Sequence, residues 1–133
     1  MELPIRLSKE SRVPIYHQIE AQIKTLITSG HLAAGSLLPS IRALSKDLEI
    51  SVITIRRAYQ DLEYQGFIKT VQGKGTFVAE VAESMKEKIK VSVVYEAMAN
   101  GVETALQHEY SFEEIEGIFQ QILSMKKNKK KEE

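Results

Sequence analysis

Two serines, each set directly before a short helical pattern, constrain this chain more than any other feature. Ser40 precedes Ile41, Leu44 and Leu48, and Ser51 precedes Ile55, Ala58, Tyr59 and Leu62. A serine oxygen accepts a hydrogen bond from the free backbone N–H groups of a first helical turn, so both positions read as helix starts. The first pattern breaks at Glu49 and Ile50, immediately before the second cap. Two short helices separated by a tight turn follow, and the second of them ends at Gly66, where a left-handed cap belongs.

The flanking segments complete the outline. A short extended stretch around Leu3 to Leu7 leads to Pro14, which suits the first position of a helix. Ile15, Ile19, Ile23, Leu26 and Ile27 then form one apolar stripe, closed near Ser29 by Gly30. Gly30 to Pro39 reads as a connector. After Gly66, the β-branched and aromatic run Phe67 to Val78 is split by Gln72-Gly73-Lys74-Gly75, the pattern of a hairpin with a glycine-containing turn. Three helices followed by a hairpin are the ingredients of a winged helix-turn-helix.

Beyond Ala79 the apolar residues Met85, Ile89, Val94, Met98, Val102 and Leu106 recur at helical spacing to about Glu109. Ser111-Phe112-Glu113-Glu114 has the form of a capping box and opens a last helix through Ile115, Ile118, Phe119, Ile122 and Leu123. The expected class is α+β, mostly α: a winged helix-turn-helix over residues 1–78, a two-helix dimerisation region over 79–125, and a charged, disordered tail over 126–133. The apolar stripe of the two-helix region calls for a cover, supplied by a second copy of the chain or by folding back on the first domain.

Several function classes lose their footing. The 133 residues include no cysteine, which removes disulfides and thiolate chemistry. His17, His31 and His108 are far apart in the sequence, so no metal or cofactor is expected, and no nucleophile has a base beside it. Gly73-Lys74-Gly75-Thr76 leads into a strand, whereas a phosphate-binding loop leads into a helix. Glu113, Glu114 and Glu116 at a helix start answer to the helix dipole rather than to acid catalysis. An enzyme is therefore not expected. The start of the chain lacks the pattern of a secretory signal and no apolar run is long enough for a membrane span, so the expected location is the cytoplasm.

Net charge is formally zero, but it is unevenly placed. Residues 1–78 hold ten Lys or Arg against seven Asp or Glu, whereas residues 79–133 hold eight against eleven. In a helix-turn-helix the second helix enters the DNA major groove while the first braces the backbone. That places the start of the helix from Ser51 at the bases, with Ser40, Ser51 and Thr54 near phosphates and Arg42, Arg56 and Arg57 supplying charge. An arginine there can take a phosphate or a guanine, and both options stay open. Ile53 offers an apolar contact to thymine methyl groups or is simply exposed, and Val52 reads as a shoulder of the core with the same thymine option. The tip Gln72, Gly73 and Lys74 suits a phosphate or the minor groove, since glycine permits close approach and lysine brings charge. A winged helix can also serve as a protein-binding module, and what sets DNA apart here is the expected convergence of Arg42, Arg56, Arg57 and Lys74 on one face.

These residues resemble the GntR family of bacterial transcription regulators. The resemblance lies in Val13-Pro14-Ile15-Tyr16-His17-Gln18-Ile19, Gly30-His31-Leu32, Gly35 to Leu44, Ser51 to Tyr59, Leu62-Glu63 and Gly73-Lys74-Gly75-Thr76-Phe77-Val78, about half the chain. It implies a repressor that binds double-stranded operator DNA as a homodimer, with Ser40, Arg42, Ser51, Thr54, Arg56 and Gln72 to Lys74 at contact positions. Val52 departs from the pattern, because the family often has arginine there. The short two-helix remainder is similar to the YtrA-type subfamily, which implies dimerisation and a link to transporter genes.

Overall fold

The computed structural model describes residues 3–131. Among them, five helices and one two-stranded antiparallel sheet follow in the order α1 (Ile15–Thr28), α2 (Ile41–Leu48), α3 (Val52–Tyr64), β1 (Ile68–Val71), β2 (Gly75–Val78), α4 (Glu83–Gln107) and α5 (Phe112–Lys131). The winged helix-turn-helix and the mostly helical α+β class are as the sequence predicts.

The core of the first unit is aliphatic. Ile19, Ile23 and Ile27 of α1 meet Ile55, Ala58 and Leu62 of α3, with Leu44 of α2 closing the cluster, and all seven are buried. Removing side chains of this size from water contributes roughly 1.5–3 kcal/mol each before the cost of ordering them. The turn between α2 and α3 is tight because Glu49 takes a left-handed conformation, φ 55°, and its N–H donates to the Ser45 carbonyl. Ile50 N–H donates to the same carbonyl at 3.1 Å, and the Ser45 hydroxyl donates back to the Ile50 carbonyl. Pro14 stands just outside α1 as its N-cap, one residue before the position expected, because its ψ of 146° keeps it extended.

The connector between α1 and α2 is more ordered than its glycines suggest. Leu37 bridges Phe77, Leu38 N–H donates to the Thr76 carbonyl at 2.8 Å, and Val78 N–H donates to the Ser36 carbonyl at 2.9 Å. The outer edge of β2 is thus paired by a third short segment. Gly75 is required at this junction: its φ is 124°, and a Cβ would stand 2.9 Å from the Leu37 side chain. The N-terminal stretch is also held, with Leu3 and Ile5 buried. Gln22 clamps the backbone of Arg6 by both ends of its amide, at 2.9 and 2.7 Å, and Gln18 does the same at Ser8.

The chain divides into two units, one reaching to Lys90 and one running from Val91. The expected boundary near residue 79 lies earlier than this division, because Val81 and Ile89 pack on the first core and hold the first turns of α4 there. In the second unit, α4 ends at a left-handed Glu109, φ 63°. The expected capping box opens α5: Ser111 N–H donates to Glu114 at 3.0 Å and Glu114 N–H donates to the Ser111 hydroxyl at 3.1 Å. Hydrogen bonds from the Ser111 backbone N–H and then from its hydroxyl hold the Glu114 carboxyl below its ordinary range. Instead of a disordered tail, residues 126–131 continue α5, whose last turn carries Lys129, Lys130 and Lys131 against the negative end of the helix dipole. Glu132 and Glu133 of the expected tail lie outside the described residues. No helix of the described residues is long and apolar enough to cross a membrane.

Candidate nucleic-acid interface

Two helix starts, both capped by serine, form the base of the site. The Ser40 oxygen accepts from Ala43 N–H at 3.0 Å, and the Ser51 oxygen accepts from Thr54 N–H at 3.3 Å while lying 2.9 Å from the Thr54 hydroxyl. Each cap satisfies one orphan donor and leaves earlier N–H groups of the same turn able to bind an anion.

Three cations from three elements border one groove. Arg42 of α2, Arg56 of α3 and Lys74 of the hairpin turn line a depression of about 480 Å³ together with Ser40, Gly75 and Thr76. All three are exposed, and among the described residues none of them forms a salt bridge. Unpaired cations gathered on one concave surface raise the local concentration of polyanions. Their convergence depends on the pairing of Leu37 and Leu38 with β2, which brings the hairpin beside the start of α2.

The remaining predicted residues fall into separate places. Val52 is half-buried, whereas Ile53 is 77% exposed at the first turn of α3. Gln72 and Gly73 sit exposed at the hairpin tip, where Gly73 has φ 80° and Lys74 N–H donates to the Val71 carbonyl at 2.9 Å. Arg57 does not line the groove: its guanidinium lies 3.8 Å from the centroid of the Tyr16 ring on α1.

Tyr59 and Glu63 hold the site from behind. The Tyr59 hydroxyl donates to the Pro39 carbonyl at 2.7 Å, and burial pushes its phenol above the usual range, so it remains a neutral donor. Glu63 accepts from Thr70 N–H at 2.8 Å and so ties α3 to β1. Sequence reasoning placed Tyr59 on the core face without a partner. A buried tyrosine generally needs one for its hydroxyl, which was the available clue.

Comparison with known proteins agrees with this geometry. The sequence profile of the bacterial regulatory proteins of the gntR family matches residues 15–78. The HTH-type transcriptional repressor YtrA of Bacillus subtilis is 34% identical over 115 residues, which is 80% of this chain and 88% of that protein. A GntR family transcriptional regulator from Listeria monocytogenes superimposes with a TM-score of 0.66 at 30% identity, covering 84% of this chain and 97% of the other. YtrA from Sulfolobus acidocaldarius, a GntR-family transcription factor, gives 0.56 at 37% identity, covering 71% and 97%.

Proposed function

Since this chain belongs to the GntR family of bacterial regulatory proteins, we propose that it is a sequence-specific repressor that binds a two-fold operator as a homodimer. The observation that carries the reading is the groove in which Arg42, Arg56 and Lys74 converge without acidic partners. In this reading α3 enters the major groove at its Ser51 end, where Thr54, Arg56 and the exposed Ile53 reach base edges and Val52 flanks them. The N-terminus of α2, with Ser40 and Arg42, holds a phosphate. Gln72, Gly73 and Lys74 follow the backbone or the minor groove.

The repressor role takes support from the printed name of the Bacillus subtilis relative. Transporter genes are the targets implied by similarity to the YtrA type, and action on DNA places the protein in the cytoplasm. A regulatory role needs no catalytic group. Dimerisation through the region 79–125 takes support from the apolar groove between α4 and α5, about 630 Å³, lined by Met98, Val102, Leu106, Phe119 and Leu123. A dimer reads two half-sites about one helical turn apart, or a multiple of that.

The test is recovery of duplexes from a random-sequence pool by the full chain, followed by titration of the recovered duplex across a salt series. Each phosphate neutralised contributes about 0.9 to the slope of log affinity against log salt. The recovered sequences should be two-fold, with affinity falling steeply as salt rises. If Arg42→Ala and Arg56→Ala bind the duplex as the unaltered chain does, the DNA-reading assignment fails.

A further inference from the structure

We infer that Arg57, although it stands on the DNA-reading helix, is a positioning residue: stacked on Tyr16 where α1 carries the buried Glu20, it sets how α3 is seated on α1. The inference rests on the DNA-binding function proposed above.

The two adjacent arginines of α3 diverge. Arg56 borders the groove, while Arg57, about 100° further round the helix, has its guanidinium 3.8 Å from the Tyr16 ring centroid. That is stacking distance, and a guanidinium over a tyrosine face is held by the negative charge of the ring. Glu20 follows Tyr16 by one helical turn on α1, and Asp61 follows Arg57 by one turn on α3. Residues one turn apart share a face. The two pairs therefore meet where α1 and α3 pack, with the guanidinium exposed, Tyr16 and Asp61 half-buried and Glu20 buried.

Glu20 gives Arg57 a reason to stay. It is only 4% exposed, and its Oε1 has no hydrogen-bond partner among the described residues. The titratable and charged groups that bear on Glu20 are Lys24 of α1, Arg57 and Asp61 of α3, and the His17 ring, whose Nδ1 lies 3.8 Å from Oε2. Burial and Asp61 push the Glu20 pKa up to about 7, while Lys24 and Arg57 oppose them. An Arg57 side chain swung onto a phosphate would abandon both the ring and this compensation. Arg57 thus governs the seat of the reading helix and makes that seat sensitive to protonation near neutral pH.

The experiment uses the full chain and a duplex recovered by it from a random pool, with affinity measured across salt at pH 6 and pH 8. The expected loss for Arg57→Gln is roughly fivefold, the worth of one exposed cation–π contact, with the salt slope unchanged. Arg42→Gln, at the phosphate contact, should instead flatten the slope by about 0.9 for each site. Arg57→Lys should behave like Arg57→Gln, because lysine replaces arginine at a phosphate but not in a planar stack. Tyr16→Leu should cost the same, and the Tyr16→Leu/Arg57→Gln double variant no more than either alone. Losing Arg57 should also move the pH dependence of binding upward, since Glu20 then keeps its proton to higher pH.

A flattened slope in Arg57→Gln, full binding by Arg57→Lys, or a pH profile identical to that of the unaltered chain overturns the inference. If Arg57→Gln does not fold, the slope and pH profile of Arg57→Lys decide. An unaltered chain that recovers no duplex overturns the DNA reading itself, and the positioning role with it. A duplex bound with Arg57 in the slope overturns the positioning role alone.

Discussion

The hydroxyl of Tyr59, buried on α3, donates to the carbonyl of Pro39, the residue before the N-cap of α2, at 2.7 Å. One hydrogen bond thus ties α3 to the start of α2. It also sets the distance between Arg56 and the Ser40–Arg42 turn on the opposite side of the groove.

Tyr59→Phe should keep the ring packing but leave the Pro39 carbonyl unpaired. The expected loss is about 1 kcal/mol of unfolding free energy, read by urea denaturation. DNA affinity should fall while the salt slope stays as it was, because no cation is removed.

Glu49 holds a left-handed conformation that costs a residue with a Cβ roughly 1–2 kcal/mol, at φ 55° between α2 and α3. Glycine adopts it freely but loses more entropy on folding, so the two effects partly cancel. Glu49→Gly is expected to raise stability by about 0.5 kcal/mol and to shift the thermal midpoint upward, whereas Glu49→Val should lower it.

The pH dependence of stability should carry the signature of Glu20. Its pKa rises from 4.5 to about 7 on folding, chiefly through burial and then through Asp61. The folded state then binds this proton more tightly than the unfolded chain does. The stabilisation is fully present below pH 4.5 and is lost as pH rises through about 7. Glu20→Gln keeps the shape without the ionisation. Its thermal midpoint should change less than that of the unaltered chain between pH 5 and 8, and it should be the more stable of the two at pH 8.

Phe119 lies half-buried in the groove between α4 and α5. If a second copy covers that groove, Phe119→Glu places a charge in an apolar contact and should convert a dimer into a monomer in sedimentation. Affinity for a duplex with two half-sites should fall far more than affinity for one half-site. A Phe119→Glu protein that sediments as the unaltered chain does would remove this face from the dimer interface.

Much of the local architecture was legible before any coordinates. Ser40, Ser51 and the Ser111–Glu114 box announce helix starts because a cap acts within one turn of its own residue. Gln72 to Gly75 announces the hairpin for the same reason, since turn geometry depends on the residues in the turn. The apolar stripes of α1 and α3 likewise named the core: Ile19, Ile23, Ile27, Ile55, Ala58 and Leu62 are all buried.

By itself, then, the sequence determined where the helices, turns and hairpin begin, though not that α5 runs on through Lys131, and it determined which faces are apolar and that serines and cations gather around Ser40 to Lys74. Tertiary structure alone decided that Arg56 lines the groove while Arg57 lies on Tyr16, that Leu37 and Leu38 pair with β2, that Tyr59 reaches Pro39, and that the first turns of α4 join the first core. Caps, turns and periodicity are properties of neighbours along the chain. The destination of a long side chain or an unpaired strand edge depends instead on segments far away in sequence, which meet only once the core of α1 and α3 has formed.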